Sequence, residues 1–263
     1  MKKFLPHEYS APIWRSILEF DLIEENDKIL IGLSGGKDSM FLTYALSIIR
    51  QYAPIHFDLA AVTIDPMFTA NFDITALERF CRELDIPFFT EQVNIASAIA
   101  EAGNKSPCFT CAFFRRGAIN RIAKEKGFNK IAYAHHHDDA VETFYMELLY
   151  SGQLKTFLPK TYLDRTGLTL IRPLLYFREA QLAQSPSLHD YMPVASPCPY
   201  NGKTKRQEIK ELLAEMEKSN PGLYTHLASA MRAKETAELW PAAPTREELK
   251  AKHMAFWRKG KPK

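Results

Sequence analysis

The sequence predicts an α/β protein whose doubly wound, mostly parallel sheet has about five strands. Short apolar runs recur along the chain, and amphipathic stretches with helical spacing separate them. Glycine-rich or polar clusters directly follow two of the runs. Strands that alternate with helices of 10 to 15 residues favour a parallel sheet. Hydrophobic residues make up 46% of the 263 residues, which is enough for a sizeable buried core.

The expected elements can be read in order. The predicted strands are residues 28–33, 57–65, 86–91, 130–135 and 169–174. The predicted helices are residues 40–52, 74–84, 111–126 and 138–150. After about residue 178 the sequence is polar and helical, so we expect a catalytic core at 1–220 and a helical, basic tail at 221–263. Ligands of such a sheet bind at the carboxyl ends of its strands, where two polar motifs fall.

Charge and cysteine content narrow the class of protein. The net charge is only +3, too small by itself to indicate a nucleic-acid partner. No apolar run approaches the roughly 18 residues of a membrane helix, and the first residues lack the apolar region of a secretory signal. Four cysteines are too few for a disulfide framework in a chain of this length. We therefore expect a soluble, cytoplasmic protein without a membrane partner, whose cysteines serve metal or redox chemistry.

The glycine turn after the first strand is suited to hold phosphate. It consists of Ser34, Gly35, Gly36, Lys37, Asp38 and Ser39. Its glycines allow close approach of the backbone, and the following helix directs unpaired N–H groups to the same place. It is not a Walker A motif, because Ile31 stands where that motif needs glycine and Asp38 where it needs serine or threonine. We interpret it as a nucleotide-phosphate site, with a plain glycine turn as the alternative.

A second polar motif, His135 to Asp139, closes the fourth predicted strand and opens a helix. Zinc binding is one interpretation, but three consecutive histidines at a strand end point in different directions. Helix capping by Asp138 is another. We favour a third, in which Asp38 and Asp139 hold Mg²⁺ beside a polyphosphate and His136 belongs to the nucleotide site.

Three of the four cysteines lie in polar, turn-forming contexts. Cys108 and Cys111 have the C-x₂-C spacing with which two thiolates chelate one metal or cluster, although a redox pair or half of a zinc site stays open. Cys198 lies between two prolines, which hold its loop extended and make a third thiolate available. Three cysteines on a four-iron cluster leave one iron open to an exogenous atom such as sulfide. Cys81 occupies an apolar helical position and is expected in the core.

Positive charge is concentrated in two segments. The stretch from Arg115 to Lys130 contains six Lys or Arg residues and one Glu, and the segment from Pro241 to Lys263 carries a net charge of +5. Arg115 and Arg116 either contact nucleotide phosphate or RNA, or lie on a solvated helix face. The tail either binds single-stranded RNA through Phe256 to Lys259 or is a frayed basic end.

In this order, the motifs resemble those of the PP-loop ATP pyrophosphatases, and in particular the branch of the tRNA 2-thiocytidine synthetases. The resemblance spans roughly residues 10–215. It rests on SGGKDS at 34–39, CxxC followed by Arg115-Arg116-Gly117, HHxDD within residues 135–139, IRPLLYFRE at 171–179 and a Pro-Cys pair at 197–198.

The resemblance implies a chemistry. ATP adenylates the C2 oxygen of a cytidine in the tRNA anticodon loop, and sulfur then replaces AMP. A [4Fe-4S] cluster is implied on Cys108, Cys111 and Cys198. For that reaction we expect ATP and Mg²⁺ at the glycine turn, with Asp38, Asp139 and Arg115 as catalytic residues. The adenine is expected at the backbone near Thr63 to Asp65. The expected partners are tRNA and a sulfur donor, and a homodimer is left open. The basic stretch from Arg115 to Lys130 is expected to face the RNA.

The chain departs from the family pattern at a few positions. Ala134 stands where the family usually has glycine, and Pro199-Tyr200 stands where many members carry a further cysteine. Three rival functions remain at this level. One is a PP-loop sulfurtransferase that acts on another nucleotide or on a small molecule, and another is a PP-loop ligase that attacks with an amine, which has no use for three cysteines. The last is a non-enzymatic sensor that binds ATP and an iron–sulfur cluster.

Overall fold

The fold was analysed in a computed structural model. It describes residues 4–69, 72–101, 107–188, 192–194, 198–200, 204–232 and 244–258. The chain divides into two units, residues 1–231 and residues 232–263. The first unit contains the sheet and the functional site, and the second contains the last helix. No helix in the described ranges is both long and apolar enough to cross a membrane.

The regular elements alternate along the chain. The strands are β1 (Asp27–Gly32), β2 (Phe57–Asp65), β3 (Phe88–Gln92), β4 (Lys130–Ala132), β5 (Lys160–Leu163) and β6 (Leu168–Ile171). The helices are α1 (His7–Glu19), α2 (Lys37–Tyr52), α3 (Thr75–Glu83), α4 (Ile95–Glu101), α5 (Pro107–Glu125), α6 (His137–Met146), α7 (Glu179–Leu182), α8 (Lys205–Ser219), α9 (Leu223–Ala230) and α10 (Arg246–Arg258). A π-helical turn, Glu147–Ser151, extends α6.

The strands form one sheet in the order β3-β2-β1-β4-β6-β5, which confirms the predicted fold class. Every neighbouring pair is parallel except β5 and β6. The central strand β1 pairs with β2 on one side and with β4 on the other. Because the chain proceeds to opposite sides of β1, the carboxyl ends of β1 and β4 flank a topological switch point, where ligands of such sheets bind.

One strand was not predicted. β5 forms an antiparallel hairpin with β6, and residues 164–167 make the turn. β5 is only four residues long and mostly half-buried, so its sequence lacks the apolar run that marks the other strands. The sheet therefore has six strands where about five were expected.

Helices cover both faces of the sheet, and this explains why β1 is apolar at successive positions. Ile29 and Ile31 pack into the core on one face, together with Ile13 of α1 and Phe41 of α2. Leu30 points to the other face and packs with residues of α5. A third apolar cluster joins α6 to α8 and α9. The residues that follow β1 and β4 are thus anchored from several sides.

Candidate functional site

The SGGKDS turn is held in shape by its own serines. The Ser34 N–H donates to Ser39 Oγ at 3.1 Å, the two hydroxyl oxygens lie 3.0 Å apart, and the Ser39 hydroxyl donates to the Gly36 carbonyl at 3.0 Å. Gly36 is the N-cap of α2 and offers no side chain to the first N–H groups of the helix. These groups are directed into the turn, as an anion site requires.

Gly35 has a geometric reason to be glycine. Its φ is +83°, in the left-handed region that other residues rarely adopt. A Cβ on Gly35 would also lie 3.1 Å from the Cβ of Val194, whose N–H donates to the Gly35 carbonyl at 2.8 Å. The turn is therefore closed on one side by the segment before Cys198.

The charged residues of the turn pair with each other and with α7. Lys37 Nζ lies 3.0 Å from both carboxylate oxygens of Asp38 and 3.6 Å from Glu179. Glu179 also pairs with Lys210 at 2.6 Å. Lys37 and Asp38 are partly exposed, so a polyphosphate can reach both side chains. Their salt bridge keeps the cation and the candidate Mg²⁺ carboxylate side by side.

A cavity of about 530 Å³ opens at the switch point. The turn, the ends of β2, β4 and β6, and the inner face of α5 surround it. It is lined by Gly32, Leu33, Ser34, Gly36, Asp38, Ser39, Val62, Ile64, Ala112, Arg115, Arg116, Ile119, Tyr133, Ala134, His135, Leu170, Arg172 and Arg206. Four of these residues are arginines and Asp38 is the single carboxylate, so the cavity favours a polyanionic ligand.

At the end of β2, alternate side chains line the cavity. Val62 and Ile64 provide apolar lining, whereas Thr63 and Asp65 alternate with them along the strand. The Thr63 hydroxyl donates to the Leu33 carbonyl at 2.6 Å, and Asp65 accepts from the Met67 N–H at 2.9 Å. The apolar pair suits the face of a base, and the adenine edge at the backbone near Thr63 to Asp65 stays a prediction.

In the second motif, His136 and Asp139 form a capping box at the start of α6. The His136 N–H donates to Asp139 Oδ2 at 3.0 Å. The other carboxylate oxygen of Asp139 lies 3.6 Å from Arg206, which also pairs with Glu142 at 3.1 Å. His136 is buried, and its Nδ1 has no hydrogen-bond partner among the described residues. The proposed helix cap is thus present, but it is Asp139 and not Asp138 that makes it.

Asp138 connects the C-terminal helices to the sheet. Its carboxylate is 6% exposed, and both of its oxygens lie 3.1 Å from Nε of Arg178. It also accepts from the Glu179 N–H at 3.0 Å. The Arg178 guanidinium pairs with Glu217 at 3.1 Å and lies 3.4 Å from the centroid of the Tyr224 ring. This network joins α6, α7, α8 and α9, and the sequence alone gave no indication of it.

The cavity is lined by three polar residues that follow β4 and β6 and were not predicted as site residues. His135 accepts a hydrogen bond from Arg172 Nε at 3.3 Å, and burial lowers the pKa of its imidazole to about 4. Within the described residues, the other hydrogen-bond partners of the Arg172 guanidinium are the Leu158 carbonyl and the Thr161 hydroxyl, both uncharged. Burial raises the pKa of Tyr133 to about 12. The cavity therefore offers a neutral imidazole, a neutral phenol and a cation without a carboxylate partner.

Two of these residues could have been found. Tyr133 and His135 are two positions apart at the end of a predicted strand, so their side chains share one face of the sheet. Arg206 lies 67 residues after Asp139 on α8 and carries no comparable signal. Its place in the cavity depends on how α8 packs on α6.

The structure brings the three predicted cysteines together. Cys108 is exposed, and Cys111 and Cys198 are half-buried. The pKa of the Cys111 thiol is raised, chiefly by burial and further by the neighbouring charges of Cys198 and Cys108, while the charge and hydrogen bond of Arg115 oppose the shift. Arg115 also lines the cavity. Cys81 is buried in the core, and burial raises the pKa of its thiol to about 12, so it stays protonated.

The donor set fits an iron–sulfur cluster better than a single metal ion. In the described ranges, no three His, Cys, Asp or Glu side chains are placed to share one ion. A four-iron cluster does not require its cysteines to surround one point, because each thiolate binds a different iron. Cys108 and Cys198 lie near enough to Cys111 to act on its charge, and three thiolates in one region can each bind a different iron. One side of the group adjoins the arginine-lined cavity.

The basic stretch after the cysteines divides into three parts. Arg115 and Arg116 line the cavity. Lys126 lies 4.4 Å from the centroid of the Phe89 ring. Lys130 was expected to face RNA, and this is wrong: it is 3% exposed, and its ammonium pairs with Asp27 at 2.7 Å. The predicted RNA-binding side chains from Phe256 to Lys259 lie outside the described part of the chain.

Comparison with known proteins agrees with this geometry. A family model described as the PP-loop domain matches residues 10–215. The tRNA-cytidine(32) 2-sulfurtransferase of Herminiimonas arsenicoxydans is 36% identical over 224 residues, which are 83% of this chain and 70% of that protein. The protein of the same name from Geobacter metallireducens is 34% identical over 223 residues, 83% of this chain and 86% of that protein.

The fold also has a solved counterpart. The U34-tRNA thiolase NcsA from Methanococcus maripaludis, with its [4Fe-4S] cluster, superposes with a TM-score of 0.69 over 84% of this chain and 76% of that one, at 23% identity. At this identity the likeness supports the fold alone. Together with the family match and the curated relatives, it leads to one conclusion: the chain belongs to the PP-loop family, and within it to the group of the tRNA-cytidine(32) 2-sulfurtransferases.

Proposed function

We propose that the protein is an ATP-dependent tRNA sulfurtransferase that replaces the C2 oxygen of an anticodon-loop cytidine with sulfur, at position 32 as in the names of its relatives. One observation carries most weight. Arg115 lines the cavity beside the glycine turn, and its positive charge acts on the neighbouring Cys111 thiol. A single side chain thus connects the phosphate site with the cysteine group, as a reaction with both activation and sulfur transfer requires.

The first half-reaction is adenylation. The C2 oxygen of the cytosine attacks the α-phosphorus of ATP, and the bond from that phosphorus to the oxygen of the leaving pyrophosphate breaks. The N–H groups at the start of α2 and Lys37 would hold the pyrophosphate. Asp38 lines the cavity and would orient the Mg²⁺ that neutralises the phosphates, and Asp139, outside the cavity lining, would add a second negative charge. Arg115 and Arg116 would stabilise the charge that develops on the α-phosphate.

In the second half-reaction, the adenylated oxygen leaves as AMP while sulfur binds to C2. Cys108, Cys111 and Cys198 would hold a [4Fe-4S] cluster, which would supply an iron free of protein ligands for sulfide from a separate donor. Arg115 lies between the cysteines and the cavity and would stay beside the departing AMP. Val62, Ile64 and Ile119 provide apolar walls that keep water away from the activated base.

The proposal is tested by anaerobic reconstitution with iron, sulfide, ATP and unmodified tRNA. Mass spectrometry of the digested tRNA should find 2-thiocytidine, and the nucleotide products should be AMP and pyrophosphate. ADP and phosphate as the products would contradict the assignment. Tight ATP binding without turnover would favour the sensor, and thiolation of free cytidine as readily as tRNA would favour a small-molecule sulfurtransferase.

Cysteine variants test the cluster separately. Changing Cys108, Cys111 or Cys198 to serine should each reduce bound iron and abolish thiolation, because each removes one of three thiolates. Cys81→Ser is the matched control and should keep its iron, since Cys81 is a buried thiol in another part of the core. Iron content after anaerobic reconstitution is the readout. Full iron retention in Cys198→Ser would show that the ligand set is wrong.

A further inference from the structure

A second cavity, of about 730 Å³, lies between the outer face of α5 and the β5–β6 hairpin. Its lining residues are Gly117, Asn120, Arg121, Lys124, Glu125, Tyr162, Leu163, Asp164, Arg165 and Thr166. We infer that this groove binds the ribose-phosphate backbone of the substrate RNA next to the nucleotide that enters the first cavity. The inference rests on the proposed function and adds a binding surface to it.

Continuity with the first cavity supports the inference. Arg115 and Arg116 line the cavity of the glycine turn, and Gly117, the next residue, lines the groove. An RNA strand that leaves the first cavity therefore meets the groove within one turn of α5. A loop nucleotide can be turned out of its stack into a pocket while the neighbouring backbone stays on the protein surface.

Gly117 has no packing reason to be glycine. A Cβ placed on it would meet no atom within 4 Å. Glycine inside a helix is less stable than alanine, so a glycine that packing does not require indicates that something outside the chain approaches the helix closely. A sugar-phosphate backbone in the groove would do so.

The groove carries three cations and two carboxylates, a net charge of +1. Arg121 is engaged by Glu91 and Glu125. Lys124 and Arg165 have no carboxylate partner within the ranges that the structure describes, and both side chains line the groove. Two carboxylates line the groove: Glu125, which pairs with Arg121, and Asp164, which does not. Two unpaired cations on opposite walls are suited to two successive phosphates.

One further residue of the groove suits a nucleic-acid strand. Tyr162 is 62% exposed at the rim, where its ring can pack on a sugar or a base.

The experiment measures binding of an unmodified tRNA transcript by fluorescence anisotropy at several salt concentrations. Lys124→Gln should raise the dissociation constant about fivefold and reduce the slope of log affinity against log salt by about one. Lys126→Gln is the matched control, because Lys126 lies two residues further along the chain but packs on Phe89 outside the groove. It should bind as the wild type does.

A second variant tests the groove by adding side-chain volume without changing its charge. Gly117→Leu places a side chain in the groove, where its Cβ meets no atom within 4 Å, and leucine also favours the helix more than glycine does. The variant should weaken tRNA binding about tenfold or more, while ATP binding stays unchanged. Wild-type affinity of both Lys124→Gln and Gly117→Leu would overturn the inference. If these variants also thiolate tRNA normally, the proposed function stands without the groove. A wild type that neither binds nor thiolates tRNA would refute both proposals.

Discussion

Two motifs follow neighbouring strands of the sheet, but their side chains make different contacts. SGGKDS follows β1, HHHDD follows β4, and both lie at the switch point. The first motif forms hydrogen bonds mainly within itself and presents Asp38 and Ser39 to the cavity. The second gives the cavity only His135, while Asp138 binds Arg178. The first motif is therefore placed to contact a ligand in the cavity, whereas the second mainly holds the C-terminal helices in place.

The largest effect is expected from Asp38→Ala. Asp38 is the single carboxylate of the cavity, so its loss should reduce AMP formation at least about 100-fold while the melting temperature stays nearly unchanged. Asp58→Ala is a suitable control, because Asp58 is exposed near the amino end of β2. Wild-type turnover of Asp38→Ala would remove this motif from the chemistry.

Asp138→Ala should mainly affect stability, whereas Asp38→Ala should mainly affect AMP formation. It leaves the Arg178 guanidinium without its buried partner and should lower the free energy of unfolding by about 2 kcal/mol. The loss stays below that of a fully buried pair, because the Arg178 side chain is about one-third exposed and keeps Glu217. Urea denaturation is the measurement. The double variant Asp138→Ala/Arg178→Leu should recover part of the lost stability. If Asp138→Ala alone is as stable as the wild type, the Asp138–Arg178 pair does not stabilise the fold.

Asp139→Asn separates capping from catalysis. The amide oxygen can still accept the His136 N–H, so stability should change by less than about 0.5 kcal/mol. An amide cannot supply negative charge to Mg²⁺, so ATP turnover should fall about tenfold, with a raised Mg²⁺ requirement. If Asp139→Asn keeps wild-type ATP turnover at low Mg²⁺, Asp139 acts only as a helix cap.

The smallest effect concerns pH. Burial depresses the pKa of His135 to about 4, below the value of about 6.5 expected in the unfolded chain. The unfolded chain therefore takes up the proton first as the pH falls, and stability present above about pH 6.5 is lost toward pH 4. The loss should be about 1 kcal/mol between pH 6 and pH 5. His135→Gln should abolish this part of the pH dependence, whereas His56→Gln, at an exposed site, should keep it.

Much of this protein was determined by its sequence. The parallel sheet follows from apolar runs that alternate with helical periods, since each run can be buried only between two layers of helices. The glycine turn follows from Gly35 and its neighbours, because few other sequences can adopt that backbone at the start of a helix. Cys108, Cys111 and Cys198 could be selected because their local contexts are polar, unlike that of Cys81.

Only the tertiary structure decided the remainder. Whether Asp138 or Asp139 caps α6 depends on the position of Arg178, 40 residues further along the chain. Arg206 is held at the cavity by a contact with Asp139, which lies 67 positions earlier in the chain. Lys130 is buried against Asp27, which lies 103 positions earlier. Local sequence sets backbone preference and periodicity, but a charged side chain takes the partner that folding brings to it. The same basic stretch therefore provides cavity arginines, groove cations and a buried lysine.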